Sequence, residues 1–223
     1  MIRKVLAGCL VAAPVLFTAT EFTRLLVESR DESGSPEGTL TAIAEARGVW
    51  EIFGWLVVVT APAWLAAMLG LVEGLRQIRE RWAFITGAVA VIGALGWAMH
   101  QAAYVELNAI AAHHRPAGDL ALSILDGAGG TGMEDATLIV MVVGQLLGPL
   151  LVVLGYARAG VVPWWAFACV PAWLIVTMFA GSLSPTLSLA NLLLLPPFVM
   201  VARLLVSPVH RADQVGSPSA VTG

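Results

Sequence analysis

Apolar residues fill six stretches of this chain with few interruptions, and charged and small polar residues gather between them. The stretches are residues 5–27, 50–72, 83–107, 134–156, 162–180 and 187–206. A helix rises about 1.5 Å per residue, so roughly 20 apolar residues cross a hydrocarbon layer of about 30 Å. The pattern predicts an all-α fold: a polytopic transmembrane bundle of six helices over residues 1–206, then a polar, disordered cytoplasmic tail at 207–223.

The first stretch follows Arg3-Lys4, the layout of a secretory signal. Its apolar run continues through Leu25-Leu26-Val27 to bilayer length, so it is expected to stay as a helix. Two connections are long. Residues 28–48 are acidic and end in a segment, 40–47, with the composition of a short surface helix. Residues 108–133 contain an apolar patch at 120–125, too short to span, and a glycine-rich run at 127–132.

Proline interrupts five of the six stretches, at Pro14, Pro62, Pro149, Pro171 and Pro196-Pro197, and each removes a backbone donor. The third stretch carries Gly87, Gly93 and Gly96 instead. Small residues let neighbouring helices approach closely, which predicts a central place for that helix. Pro62-Ala-Trp-Leu65 recurs as Pro171-Ala-Trp-Leu174, in the middle helices of two three-helix halves that enter the membrane from opposite sides. That is the layout of an inverted 3+3 repeat. Four residues of common types also recur by chance in such a chain.

Charge orients the bundle. With the N-terminus inside, the inner segments hold Arg3, Lys4, Arg76, Arg79, Arg81, Arg158, Arg203 and Arg211. Arg24, Arg30, Arg47 and Arg115 fall outside. This bias predicts both termini in the cytoplasm. All acids except Glu73, Glu80 and Asp213 lie on the outer side or at the outer end of a helix. The net charge of −3 and the absence of a basic stripe argue against a nucleic-acid partner. Cys9 and Cys169 fall at different depths of the membrane and are expected to be inert thiols. Trp50, Trp82, Trp164 and Trp165 suit the interfacial belt, whereas Trp55, Trp64, Trp97 and Trp173 lie deeper.

Ionisable groups inside a membrane are costly, so they are the first candidates for function. Glu21, His100 and Glu106 lie within the spans, Glu51 and Glu134-Asp135 open two of them, and Asn191 lies in the outer third of the last. All belong to the outer half. Glu21, Arg24 and Glu28 share one helix face at i, i+3 and i+7, the spacing of a local ion-pair ladder. Glu51, Glu134 and Asp135 suit the positive ends of helix dipoles. His100 and Tyr104 are four residues apart, with Asn108 one turn further. The expected ligand-binding set is Glu21, His100, Tyr104, Glu106, Asp135 and Asn191, with no catalytic residue assigned.

His113-His114 raises the idea of a metal, but adjacent histidines on a helix do not converge and no HExxH pair exists, so no metal site is expected. A b-type haem needs two axial ligands, and only His100 is intramembrane. No lysine in a span, no phosphate-binding glycine loop and no nucleophile elbow are present, so no cofactor is expected.

Leu154-Gly-Tyr-Ala-Arg-Ala-Gly-Val-Val-Pro-Trp-Trp165 resembles the inner loop of uncharacterised small polytopic inner-membrane proteins of high-GC bacteria. The resemblance covers one loop and its flanks. It implies a bacterial inner-membrane location and no assigned chemistry.

Three functions fit this sequence. The first is an outward-facing polar cavity that binds or translocates a small or lipid-like molecule. The second is an intramembrane enzyme acting on a lipid or isoprenoid substrate through paired carboxylates. The third is a non-catalytic subunit of a membrane partner or homo-oligomer, its polar groups serving as helix–helix glue.

Overall fold

A computed structural model of the protein describes residues 1–31, 33–114, 122–123, 133–179 and 185–207, without the side chains of Met133, Glu134, Asp135 and Thr137. The chain forms helices α1 (Ile2–Glu28), α2 (Pro36–Glu45), α3 (Arg47–Arg76), α4 (Glu80–His113), α5 (Met133–Arg158), α6 (Trp164–Phe179), α7 (Pro185–Ala190) and α8 (Leu195–Val206). A single 3-10 turn, Asn191–Leu194, joins the last two. No strand occurs among the described residues. The patch expected at 120–125 is described only at residues 122 and 123, and the glycine run and the tail from 208 lie outside the described residues.

Among the described residues, α1, α3, α4, α5 and the continuous segment Pro185–Val206 are long and apolar enough to cross a membrane. The fold is therefore consistent with a multi-pass integral membrane protein. The fifth expected span, 162–180, holds α6, whose described residues Trp164–Phe179 form an apolar helix of 16 residues.

The helices close into a ring. α1 packs on α3, α3 on α4 and α4 on α5; α6 touches α5 and α8, and α8 returns to α1. The glycine-rich α4 packs on α2, α3 and α5, and α3 reaches α5 and α8 as well. The buried residues of α3 show why. Trp50, Phe53, Val57, Thr60, Trp64, Ala67, Leu71 and Leu75 recur every three or four positions. Ile52, Trp55, Val58, Val59 and Leu69 on the remaining surface stay exposed, as they do where lipid takes the place of water.

The glycines of α4 have a different use. A Cβ on Gly93 would fall on the backbone of Gly144 in α5. One on Gly96 would lie 2.8 Å from Val140 Cγ1, and one on Gly148 would lie 2.5 Å from Ala90 Cα. Backbone thus meets backbone along the α4–α5 seam, the contact that small residues permit in a membrane. Gly87 instead faces Val72 of α3, where a Cβ would meet Cγ1 at 2.8 Å.

Polar atoms find partners across the bundle. Tyr156 Oη donates to the Leu71 carbonyl at 2.6 Å, and Trp82 Nε1 to the Leu151 carbonyl at 3.1 Å. The Thr20 and Thr60 hydroxyls meet at 2.9 Å. Pro62-Ala-Trp-Leu65 and Pro171-Ala-Trp-Leu174 both lie inside helices with their tryptophans buried, but α3 has 30 residues and α6 has 16.

The surface helix expected at 40–47 exists as α2, shifted toward the N-terminus. Ser35 caps it by accepting from Gly38 N–H at 3.0 Å, and Pro36 takes the first turn, where its missing N–H costs nothing. Leu40 and Ile43 bury against Val27, Phe53 and Ala111 in a second apolar cluster that seals this end of the bundle. Trp50, expected in the interfacial belt, is therefore only 2% exposed, and its Nε1 donates to the Val105 carbonyl at 3.2 Å. Trp164 and Trp165 are exposed as a belt requires. Glu51, expected at a helix start, sits one turn inside α3 and pairs with Arg47 at 3.1 Å on an exposed surface.

Asp31 organises the turn before α2. Its Oδ1 accepts from the Ser33 N–H and hydroxyl and from Gly34 N–H, and its Oδ2 accepts from the Thr39 hydroxyl. These bonds, that of the Ser33 hydroxyl above all, hold the Asp31 carboxyl below the usual carboxylate range.

Two outcomes follow from this packing. Gly144→Leu should destabilise the protein by about 3 kcal/mol, because the α4 backbone at Gly93 and Val89 blocks the added atoms, while Leu189→Ala on the exposed surface should not; thermal unfolding in detergent checks both. Because the Asp31 pKa is depressed in the folded protein, its contribution is complete above the unfolded carboxylate pKa and is lost as pH falls through the folded value. The environment of Trp50 under α2 should loosen over that acid window, and Asp31→Ala should remove the acid step from Trp50 fluorescence.

Candidate functional site

A local charge network stands in the half of the bundle nearer α2. Helical spacing brings Glu21, Arg24 and Glu28 to one face of α1. Arg24 Nη2 lies 2.9 Å from Glu21 Oε2, and Arg24 Nη1 lies 3.3 Å from Glu28 Oε2. The side chains are 18%, 11% and 10% exposed for Arg24, Glu21 and Glu28, so this ladder is largely out of solvent. Tyr104 of α4 closes it by donating its hydroxyl to Glu28 Oε1 at 2.7 Å.

Beside this network, α1, α4, α5, α6, Leu187 of α7 and the 3-10 turn line a half-open cavity of about 330 Å3. α1 contributes Phe17, Glu21 and Arg24; α4 contributes Trp97 and Gln101. α5 supplies Met141, Gln145 and Leu146, α6 supplies Trp173 and Thr177, and the turn supplies Asn191. The walls are mainly apolar. The rings of Phe17 and Trp97 pack at 4.4 Å between centroids, and Trp64 meets Phe17 edge-on at 5.2 Å.

The 3-10 turn places Asn191. Pro196 and Pro197 open α8 and have no N–H to return to the carbonyls one turn earlier, so the chain tightens there and Leu195 N–H bonds to the Leu192 carbonyl. Asn191, 5% exposed, accepts from Trp173 Nε1 at 3.0 Å and donates to the Ser188 carbonyl at 3.3 Å.

Three other polar groups on this cavity have unsatisfied atoms. Gln101 Oε1, Gln145 Oε1 and Thr177 Oγ1 are buried with no hydrogen-bond partner; among the described residues only Trp64 Nε1 shares that state. The contrast with other helical threonines is direct. Thr18, Thr20, Thr23 and Thr86 each donate to the carbonyl four residues earlier, and Thr177 does not. A buried polar atom without a partner costs about 1–3 kcal/mol, so their concentration on one cavity needs a physical reason.

The expected residues are distributed as follows. Glu21 and Asn191 line the cavity. Tyr104 stands one step away, joined through Glu28 to Arg24. His100 is half-buried beside it, the two rings stacked at 6.5 Å, and is absent from the lining. Glu106 is exposed and outside the cavity. The Asp135 side chain lies outside the described residues. Gln101, Gln145 and Thr177 escape a search for ionisable groups; an uncharged amide within an apolar run is the signal that would have found them.

A second recess, about 700 Å3, opens beneath α2 between Arg47, Glu51, Ala109, His113 and His114. The two histidine rings stand edge-to-face at 5.3 Å. Among the described residues no group of three or more His, Cys, Asp or Glu is placed to hold a metal ion.

The ladder makes Arg24 indispensable to its two carboxylates. Arg24→Met should cost on the order of 3–5 kcal/mol by leaving both buried and uncompensated. Combining it with Glu21→Gln and Glu28→Gln should restore most of the loss, as measured by thermal unfolding in nanodiscs.

Comparison with family models, with curated proteins and with solved structures returns no match for this chain.

Proposed function

We propose that this protein binds a small amphiphilic molecule in the cavity between α1, α4, α5 and α6, as the ligand-binding component of a transport process in a bacterial inner membrane. The observation that carries this reading is the grouping of unpartnered buried atoms on Gln101, Gln145 and Thr177 along one apolar cavity. Apolar walls suit a hydrocarbon body, and a few fixed polar groups orient the head. The volume of about 330 Å3 suits a head group with a short length of chain. The excess of basic residues on the N-terminal side orients the α2 end outward, so the cavity belongs to the outer half of the membrane.

The enzyme reading has less support. Glu21 and Glu28 are both bound to the same guanidinium, which leaves no separated acid and base among the described residues around the cavity.

The test uses the purified protein in nanodiscs and a long-chain alcohol carrying bromine at its far end, which quenches nearby tryptophan. Trp97 and Trp173 line the cavity and should give a saturable component of quenching. Gln145→Leu should weaken that component about fivefold, matching one lost hydrogen bond of about 1 kcal/mol. Quenching that never saturates, or that is unchanged by Gln145→Leu with Thr177→Val, would contradict the proposal.

A further inference from the structure

We infer that the molecule taken by this cavity has a cationic, hydrogen-bond-donating head, of the class of protonated long-chain amines. The inference rests on the binding reading above and specifies the head group. Three separate features converge on it.

Charge is the first. Glu21 and Glu28 share one Arg24, and Tyr104 adds only a neutral hydrogen bond, so the network carries a formal charge of −1. Both oxygens of Glu28 are engaged, one by Arg24 and one by Tyr104. Glu21 meets Arg24 through Oε2 alone, leaving Oε1 outside these bonds on a residue that lines the cavity. An unbalanced negative charge in a low-dielectric site attracts a cation far more strongly than it would in water.

Hydrogen-bond polarity is the second. Gln145 is only 6% exposed, and its unpartnered atom is a carbonyl oxygen, as is that of Gln101. A carbonyl oxygen accepts and never donates. An ammonium offers three donors and no acceptor, the complement of these two oxygens and the Thr177 hydroxyl.

The aromatic lining is the third. Phe17, Trp97 and Trp173 line the cavity, and aromatic rings beside a site favour a cation. An anionic head meets the opposite situation. Arg24, the cation of the lining, is already held by two carboxylates, and the second Glu21 oxygen, outside those bonds, would repel it.

The experiment compares three brominated probes of equal chain length in nanodiscs of zwitterionic lipid at neutral pH: an alkylammonium, the alcohol and the carboxylate. The ammonium should bind about tenfold tighter than the alcohol, and the carboxylate weakest of the three. Glu21→Gln keeps the side-chain volume and an acceptor for Arg24, and should bring the ammonium-to-alcohol ratio close to one; Glu21→Asp should retain a preference for the ammonium. Saturable alcohol binding with no ammonium preference in the unaltered protein, or a preference that survives Glu21→Gln, overturns the inference and leaves the binding reading standing. If none of the probes binds saturably, both fall. The unaltered protein decides the first comparison even if a variant fails to fold.

Discussion

Backbone rests on backbone where α4 crosses α5, at Gly93 and Gly144, and the rest of this bundle is arranged around that contact. With no side chain between them, the two helices are held in a fixed register: Gly96 meets Val140 and Met141, while Gly148 meets Ala90. That register sets Trp97 and Gln101 of one helix beside Met141 and Gln145 of the other. A looser seam would let the two glutamines turn toward other partners. Lipid supplies no hydrophobic force to pull helices together, so close packing of small residues has to do it.

A second constraint is the absence of water in the hydrocarbon layer. Polar atoms there must find partners inside the protein. Across the lower part of the bundle they do so with short interhelical bonds, Tyr156 to Leu71 and Trp82 to Leu151 among them. Nearer α2 the pattern changes. Arg24 satisfies two carboxylates, yet the Gln101 and Gln145 side-chain oxygens and the Thr177 hydroxyl stay unpaired. Among the described residues, three of the four buried side-chain atoms without a partner line the cavity, beside a network with one more carboxylate than guanidinium.

α2 contributes to that setting without entering the cavity. It covers the ends of α1, α3 and α4 with Leu40 and Ile43 and keeps Trp50 from the interface. Its position depends on short-range chemistry, the Ser35 cap and the Asp31 turn, and so is separable from the packing of the long helices.

Local spacing decided much of this structure. Runs of apolar residues are enough to set where α1, α3, α4 and α5 lie, because helix length against membrane thickness is a property of consecutive residues. The Glu21–Arg24–Glu28 ladder is equally local, since three and four residues along a helix always face one another. Tyr104 and Glu28 are 76 positions apart, and no spacing rule joins them. Whether His100 or Gln101 faces the cavity depends on a rotation of α4 of about 100°, which the glycine seam with α5 determines. The sequence by itself determined which segments are apolar enough to cross a membrane and which neighbours on one helix pair. Only the tertiary structure decided which polar side chains share a cavity, because that depends on how separate helices are turned toward each other.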